Sequence, residues 1–148
     1  MGTDNFFTLE MQAIPENVGI ARLAVAAFAS QLDFTLNEIE EIKVAVSEAV
    51  TNAVVHAYPV DRGVVSITAS LDGGRLVLRV SDEGVGIADV ERAREPSYSS
   101  DPERMGMGFA FMEAFMDTVA VESAPGGGTT VSLQKRPARI AVSGQKSS

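Results

Sequence analysis

The sequence predicts an α+β fold, a two-layer sandwich in which helices cover one face of a mixed, mostly antiparallel sheet. Two long stretches in the first half of the chain are expected to be helices: the first is apolar on most sides, and the second has an apolar stripe at the period of a helix. Short stretches of alternating apolar and polar residues, typical of strands, precede and follow them. Two of these strands flank a glycine pair, Gly73 and Gly74, which favours an antiparallel hairpin. One helical layer on one sheet is the simplest packing of such elements.

The first two elements are a strand and an apolar helix. Phe7, Leu9 and Met11 alternate with polar residues and predict a half-buried strand. A helix is expected over residues 15–32, because its opening proline suits a first helical turn. This helix is apolar on more than one side, so its second face should meet another subunit or a partner. Arg22 is its lone basic residue and a candidate partner contact, with an ordinary surface arginine as the alternative.

The central helix, expected over residues 36–58, follows a clear start signal. Thr35 and Glu38 form a capping box, which satisfies the first amide groups of a helix. One side of the helix is an apolar stripe that should pack on the sheet, made of Ile39, Ile42, Val46, Ala49, Val50 and Ala53.

A polar line runs along the other side of this helix. Glu48, Asn52 and His56 follow one another at intervals of four residues, so they project from one face. A carboxylate and a carboxamide in this arrangement can hold a divalent cation and accept a proton. A solvated helix face is the alternative, and the glycine motifs downstream decide between the two.

Two glycine pairs lie downstream of the central helix. Gly84 and Gly86 follow a strand, and glycine there permits positive φ and lets a ligand lie against the backbone. Asp82, at the end of that strand, can accept a hydrogen bond from an exocyclic amine such as that of adenine. Gly106 and Gly108 are expected to lead into a helix start, where amide N–H groups attract phosphate. Either pair alone is more often a simple turn.

The remaining elements are predicted from alternation and turn residues. These are strands over residues 64–71 and 75–81, a mobile lid over 95–105, a short helix over 108–115, and strands around 119–121 and 130–135. We expect one domain over residues 1–136 and a disordered tail over residues 137–148.

Composition excludes several classes of protein. With 148 residues, 45% of them hydrophobic and 22% charged, the chain is long enough for a globular core. A net charge of -8 argues against direct binding to nucleic acid, which needs clustered basic residues. The absence of cysteine excludes disulfides and thiolate zinc sites. The chain shows no signal peptide and no apolar run of membrane-spanning length, which favours a cytoplasmic protein without membrane attachment.

These motifs, together with Gly128 and Thr129, resemble the conserved boxes of a known superfamily. It is the ATP-binding superfamily of gyrase, Hsp90, histidine kinases and MutL, whose members share the Bergerat-type fold. Within it, the chain is most similar to the sporulation anti-sigma F factors, which are serine kinases. The segments that carry this likeness are VAAFASQLD, EIKVAVSEAVTNAVVHAY, DEGVGI, GMGF and FMDTVAVES.

The resemblance implies ATP and Mg²⁺ as cofactors. Asp82 would bind the adenine amino group with support from Thr129, while Gly84 and Gly86 would let the nucleotide approach. Asn52 would hold Mg²⁺ against the phosphates.

The resemblance also implies roles for the catalytic and phosphate-binding residues. Glu48 would act as base toward a serine hydroxyl. Gly106 and Gly108 would cradle phosphate under the lid, and Arg104 would contact a phosphate there. The lid departs from the family pattern at Asp101 and Met105, which puts its own phosphate contacts in question.

The implied partners are a sigma factor and an anti-anti-sigma protein with a phosphoacceptor serine, both meeting Arg22. A homodimer is predicted as well, because the first strand offers a free edge and the first helix an uncovered face. Three alternatives stay open at this point. They are a nucleotide-gated binding module without catalysis, the general-stress anti-sigma kinase, and, as a poor fit, the catalytic domain of a histidine kinase.

Overall fold

The structure is a computed structural model that describes residues 4–57, 63–85 and 102–138. Its helices and strands, in chain order, are β1 Asn5–Gln12, α1 Val18–Ala29, α2 Leu36–Asn52, β2 Val64–Asp72, β3 Arg75–Asp82, α3 Pro102–Phe115, β4 Thr118–Ser123 and β5 Thr129–Lys135. A 3₁₀ turn, Pro15–Asn17, precedes α1, and a π-helical turn, Ala53–Ala57, follows α2.

The five strands form one sheet in the order β1-β2-β3-β5-β4. Each of the four pairings between the described strands is antiparallel, in agreement with a mostly antiparallel sheet. Gly73 and Gly74 both have positive φ, as the predicted tight turn between β2 and β3 requires. The two-layer α+β class itself is confirmed.

The core lies between one face of the sheet and the helices. Inward side chains from β2, β3 and β5 are buried, namely Val65, Ile67, Ala69, Leu71, Leu76, Leu78, Val80, Val131 and Leu133. The helix α2 packs against both α1 and α3, and its predicted stripe from Ile42 to Ala53 is buried. On β1, Phe7 meets Phe28 of α1 edge to face, with ring centroids 5.0 Å apart.

The start of α2 agrees with the prediction, and the helical run continues to Ala57 with its last five residues π-helical rather than α-helical. Thr35 Oγ1 accepts from Glu38 N at 3.0 Å, and Glu38 Oε1 accepts from Thr35 N at 2.8 Å, which completes the capping box. The α-helical hydrogen bonding ends at Asn52, and the chain then widens into the π turn Ala53–Ala57. Such turns occur often at functional sites.

The helix α3 begins earlier than predicted. It starts at Pro102, so both Gly106 and Gly108 lie inside it rather than ahead of it. The lid predicted over residues 95–105 therefore has its last four residues in α3, and its first seven lie outside the described residues. Local sequence favours a break at two closely spaced glycines, whereas packing of α3 on α2 favours the continuous helix.

The carboxyl end of the described chain is fixed to the helical layer. Glu38 Oε2 accepts from the backbone N–H of Ala138 at 2.9 Å, and Pro137 is buried. Lys135 is also buried; its Nζ donates to the carbonyl of Phe115 at 2.6 Å and lies 3.5 Å from Glu41. Residues 139–148 of the predicted tail lie outside the described part. Among the described helices, none is long and apolar enough to cross a bilayer.

Candidate nucleotide-binding site

Glu48 and Asn52 lie one turn apart on α2 and face α3. A Cβ placed on Gly108 would lie 2.9 Å from Glu48 Oε1 and 3.6 Å from Asn52 Oδ1. Only glycine therefore lets α3 approach α2 this closely without displacing the carboxylate. The predicted acid–amide pair is thus assembled against bare backbone, and both side chains are half-buried.

The amide of Asn52 has an unused donor. Its Nδ2 is buried, and no hydrogen-bond partner is found for it among the described residues. An unsatisfied buried polar group costs about 1–3 kcal/mol, so such a group calls for an explanation. A polar ligand that enters between α2 and α3 would satisfy it.

This site fits a magnesium ion that is held mainly by a nucleotide. The described residues contain no group of three or more acidic, histidine or cysteine side chains that could hold a metal by themselves. Mg²⁺ is typically bound through one or two protein oxygens, with phosphates and waters completing its octahedron. The carboxamide of Asn52, facing Gly108, offers one such oxygen.

Asp82 ends β3 and is half-buried. Its Oδ1 accepts from Gly84 N at 2.9 Å, and the backbone N–H of Thr129 also donates to the carboxylate. Burial raises the pKa of Asp82, and these two hydrogen bonds offset only part of that effect. The carboxylate is therefore held in a fixed orientation in a partly desolvated position.

Two glycines bring the surrounding loops to Asp82. A Cβ on Gly84 would overlap the carbonyl of Ala57, and Val85 N donates to that carbonyl at 2.9 Å. Gly128, at φ 80°, lies against the backbone carbonyl of Asp82, where another residue would collide. The end of β3 is thus joined to the π turn after α2 and to the turn before β5. Gly84 has a packing reason here in addition to its predicted role near the nucleotide.

Thr129 contributes its backbone rather than its hydroxyl to Asp82. Its Oγ1 lies 2.7 Å from Ser123 Oγ, and Ser123 Oγ donates to the carbonyl of Gly128 at 2.9 Å. No sequence motif marks Ser123, which lies on β4 directly opposite Thr129. Cross-strand pairing would have been the only signal for it, and pairing is not visible in a single sequence.

The second glycine pair differs from its predicted geometry. Gly106 and Gly108 were expected at a helix N-terminus with free amide groups, but they lie in the interior of α3, where N–H groups bond to carbonyls four residues earlier. Arg104 lies in the first turns of the same helix, and its side chain is outside the described part. Gly86 also lies outside the described residues, as does the side chain of His56.

The sequence of this chain is similar to a known domain family and to known proteins over most of its length. Residues 11–135 match the histidine kinase-like ATPase domain. The anti-sigma F factor of Clostridium acetobutylicum is 50% identical over 93% of this chain and 97% of its own length. That of Geobacillus kaustophilus is 51% identical over 91% and 94%, respectively. This chain belongs to the anti-sigma F factor family.

Solved structures agree with the histidine kinase-like ATPase fold. The RsbU and RsbW domains of a Mycobacterium tuberculosis protein superpose with a TM-score of 0.64 at 22% identity, over 89% of this chain and 32% of that one. The histidine kinase domain of a blue-light-activated kinase from Erythrobacter litoralis gives 0.52 at 26% identity, over 69% and 46%. At 22% identity, the similarity to the RsbU and RsbW domains is evidence for the fold alone.

Arg22, the predicted partner contact, lies beside the site. Arg22 of α1 lines a cleft of about 350 Å³ between α1 and α2, and Glu48 lines the same cleft. Its Nε donates to Ser47 Oγ at 2.9 Å. Glu48 thus borders α3 on one side and a cleft open to solvent on the other.

Proposed function

We propose that this chain binds Mg²⁺ and ATP between α2, α3 and the end of β3, phosphorylates a serine of an anti-anti-sigma protein, and inhibits a sporulation sigma factor. The observation that carries the proposal is the pair formed by Glu48 and Asn52 against Gly108, with a buried and unpartnered amide on Asn52. The name of relatives at about 50% identity supports the sigma-factor partner.

Asn52 and Asp82 are assigned to binding. Asn52 would hold Mg²⁺, which neutralises charge on the phosphates when bound. Asp82 would accept from the adenine amino group, because its carboxylate is held in place by Gly84 and Thr129 and has acceptor capacity left. Gly84 and Gly86 would line the approach of the nucleotide.

Glu48 is assigned to the chemistry. In phosphoryl transfer the serine oxygen forms a bond to the γ-phosphorus of ATP, the bond from that phosphorus to the β,γ-bridging oxygen breaks, and ADP leaves. The hydroxyl proton passes to a base, and Glu48 is the carboxylate beside both α3 and the open cleft.

Arg22 and the uncovered surfaces are assigned to partners. Arg22 lines the cleft that reaches Glu48, which supports a contact with the protein substrate and with the sigma factor. A homodimer is part of the proposal. It is supported by β1 at the edge of the described sheet and by Phe6 on that strand, which is 65% exposed. Ile20 and Leu23, which are 53% and 65% exposed, lie on α1 with Arg22 and belong to the surface assigned to partners.

A second candidate is a nucleotide-gated binding module without catalysis. The observation that favours it is the helical state of Gly106 and Gly108, whose amide groups are engaged within α3 rather than free for phosphate. Kinase activity would then require the start of α3 to rearrange.

The deciding experiment uses the protein, radiolabelled ATP, Mg²⁺ and the anti-anti-sigma protein from the same genome. The proposal expects label on one serine of that partner, and no label when this serine is replaced by alanine. Capture of the sigma factor is measured in parallel with ATP and with ADP. Sigma-factor binding without label transfer would favour the binding module, and absence of both would refute the proposal.

A further inference from the structure

Ser47 is a hydroxyl residue that the proposed chemistry leaves without a role. It lies on α2 directly before Glu48 and is half-buried. Its Oγ donates to the carbonyl of Lys43 at 2.6 Å and accepts from Nε of Arg22 at 2.9 Å. Ser47 therefore joins α2 to the one basic residue of α1.

The geometry of this contact fixes the arginine. A serine hydroxyl has one proton, and here the Lys43 carbonyl takes it, so the oxygen lone pairs are left to accept from Arg22. A guanidinium has five N–H donors, of which Nε supplies one. The contact with Ser47 does not use the four N–H donors on the two Nη atoms. Arg22 lines the cleft.

The two basic side chains that line the cleft, Lys43 and Arg22, differ in the groups to which they are bonded. Lys43 is paired with Glu40, with Nζ 3.2 Å from Oε2. Arg22 is instead held by a neutral hydroxyl, which orients the guanidinium without offsetting its charge. Glu48 lines the same cleft. An oriented cation and the proposed base are therefore presented together to whatever enters there.

We infer that Ser47 is a positioning residue: it holds Arg22 in the orientation in which this arginine meets the protein substrate beside Glu48. This inference rests on the proposed function. Ordering a long side chain on binding costs affinity, so loss of the Ser47 hydroxyl should weaken substrate binding about threefold to tenfold. It should not change the nucleotide site, because the side chains nearest to Gly108 are those of Glu48 and Asn52, and Ser47 bonds instead to Arg22 and Lys43.

The test compares Ser47→Ala, Ser47→Thr, Arg22→Ala and the double variant Ser47→Ala/Arg22→Ala. We measure KM and kcat for the anti-anti-sigma protein, its dissociation constant and that of the sigma factor by titration, and ATP affinity by calorimetry. Ser47→Ala should raise KM and the two protein dissociation constants about threefold to tenfold, with kcat and ATP affinity unchanged. Ser47→Thr should restore binding because it keeps the hydroxyl. In the Arg22→Ala background, Ser47→Ala should have no further effect.

Ser30→Ala is the matched control. Ser30 Oγ donates to the carbonyl of Ala26 at 2.9 Å, which is the same four-residue backbone contact that Ser47 makes, without an arginine. It should leave every readout unchanged.

The outcomes separate this inference from the proposed function. If Arg22→Ala weakens binding and Ser47→Ala does not, the positioning role is refuted and the proposed function stands. If the two single effects add in the double variant, or if threonine fails to restore binding, Ser47 does not act through Arg22. If the wild type transfers no phosphate, the kinase proposal fails, and the titrations alone still decide the role of Ser47.

Discussion

At the scale of single residues, the carboxylate of Asp82, which we propose binds adenine, is oriented by backbone hydrogen bonds. Two backbone N–H groups, from Gly84 and Thr129, already bind the carboxylate. An ionised carboxylate has about four acceptor positions, so two remain for a ligand amine. Burial makes ionisation of Asp82 costly and so raises its pKa. The two backbone hydrogen bonds favour the ionised form and offset part of that rise.

We predict that Asp82→Asn weakens ATP binding by roughly tenfold to a hundredfold, equivalent to about 1.5–3 kcal/mol for a hydrogen bond to a charged group. The amide also offers one acceptor oxygen where the carboxylate offers two. Calorimetric titration with ATP measures the effect. Asp72→Asn, at the other end of the same hairpin and paired with Arg75, is the control that should bind ATP normally. Unchanged affinity in Asp82→Asn would remove Asp82 from the site.

Glu48 is predicted to act on the proton and not on the nucleotide. Glu48→Gln should therefore lower the rate of phosphoryl transfer by about 10² to 10⁴, the usual loss on removal of a general base, with ATP affinity retained. Asn52→Ala should instead weaken binding of ATP in the presence of Mg²⁺. Glu122→Gln, an exposed glutamate on β4, is the control. A normal rate in Glu48→Gln would make Glu48 a structural residue.

At the scale of elements, the sequence predicts the features that depend on residues close to one another in the chain. The capping box and the apolar stripe of α2 follow from spacing alone, and the structure confirms both. The π turn after Asn52 and the early start of α3 depend on contacts between elements. The carbonyl of Ala57 is used by Val85, and Gly108 packs on Glu48. No local pattern reports either contact.

Gly108→Ala tests the close approach of α3 to α2. Alanine has the higher helix propensity, by up to about 1 kcal/mol. Its Cβ would nevertheless lie 2.9 Å from Glu48 Oε1 and force the carboxylate aside. We expect phosphoryl transfer to fall more than tenfold, which corresponds to about 1.4 kcal/mol in the barrier, without a matching loss of thermal stability. Gly19→Ala is the matched control, because a Cβ on Gly19 of α1 meets nothing within 4 Å. Normal activity in Gly108→Ala would show that Glu48 can move without consequence.

Glu38 connects the start of α2 to the end of the described chain. Burial alone would raise its pKa, but hydrogen bonds from the N–H groups of Thr35 and Ala138, together with the charge of Lys135, outweigh burial and hold the pKa below its ordinary value. A lowered pKa means that the unfolded chain binds the proton more readily. Glu38 therefore stabilises the fold above its ordinary pKa of 4.5, and this contribution is lost as the pH falls through the folded-state pKa.

We predict that Glu38→Gln destabilises the protein at pH 7 by about 1 kcal/mol, because glutamine loses the charge and one of the two acceptor oxygens that bond to the N–H groups of Thr35 and Ala138. The difference from wild type should shrink as the pH is lowered below 4.5, where the wild-type carboxylate becomes protonated. Urea unfolding at several pH values measures it. Glu40→Gln, whose side chain is 67% exposed, should show neither effect. A pH-independent difference would mean that the charge of Glu38 contributes nothing.

At the scale of the whole molecule, the strands were predictable and their order was not. Each strand is marked by its own alternation, so all five were expected. The placement of β5 between β3 and β4 depends on pairing between residues far apart in the chain. The same holds for the candidate site: Glu48, Asn52 and Asp82 are predicted from motifs and from the resemblance, whereas Ser47 and Ser123 could be found only from contacts between elements.

The exposed apolar residues of β1 and α1 predict which surface joins two chains and which stays free. Phe7 of β1 faces the core, so its neighbour Phe6 lies on the opposite face of the sheet, which the described helices leave uncovered, and it is 65% exposed. Leu23 is equally exposed but lies on α1 next to Arg22, the proposed partner contact. We therefore expect the homodimer to use β1 and the outer face of the sheet, and we expect α1 to stay free for partners.

Light scattering at micromolar concentration should give twice the mass of a 15.6 kDa chain. Phe6→Glu should reduce it to the monomer mass, because a carboxylate cannot be buried unpaired in an apolar contact. Leu23→Glu should remain dimeric and lose affinity for the protein partners. Leu36→Glu, at an 86% exposed position at the start of α2, controls for the added charge and should change neither property. A monomeric wild type would contradict the dimer, whereas dissociation by Leu23→Glu alone would place the dimer contact on α1 and leave Arg22 to a smaller partner surface.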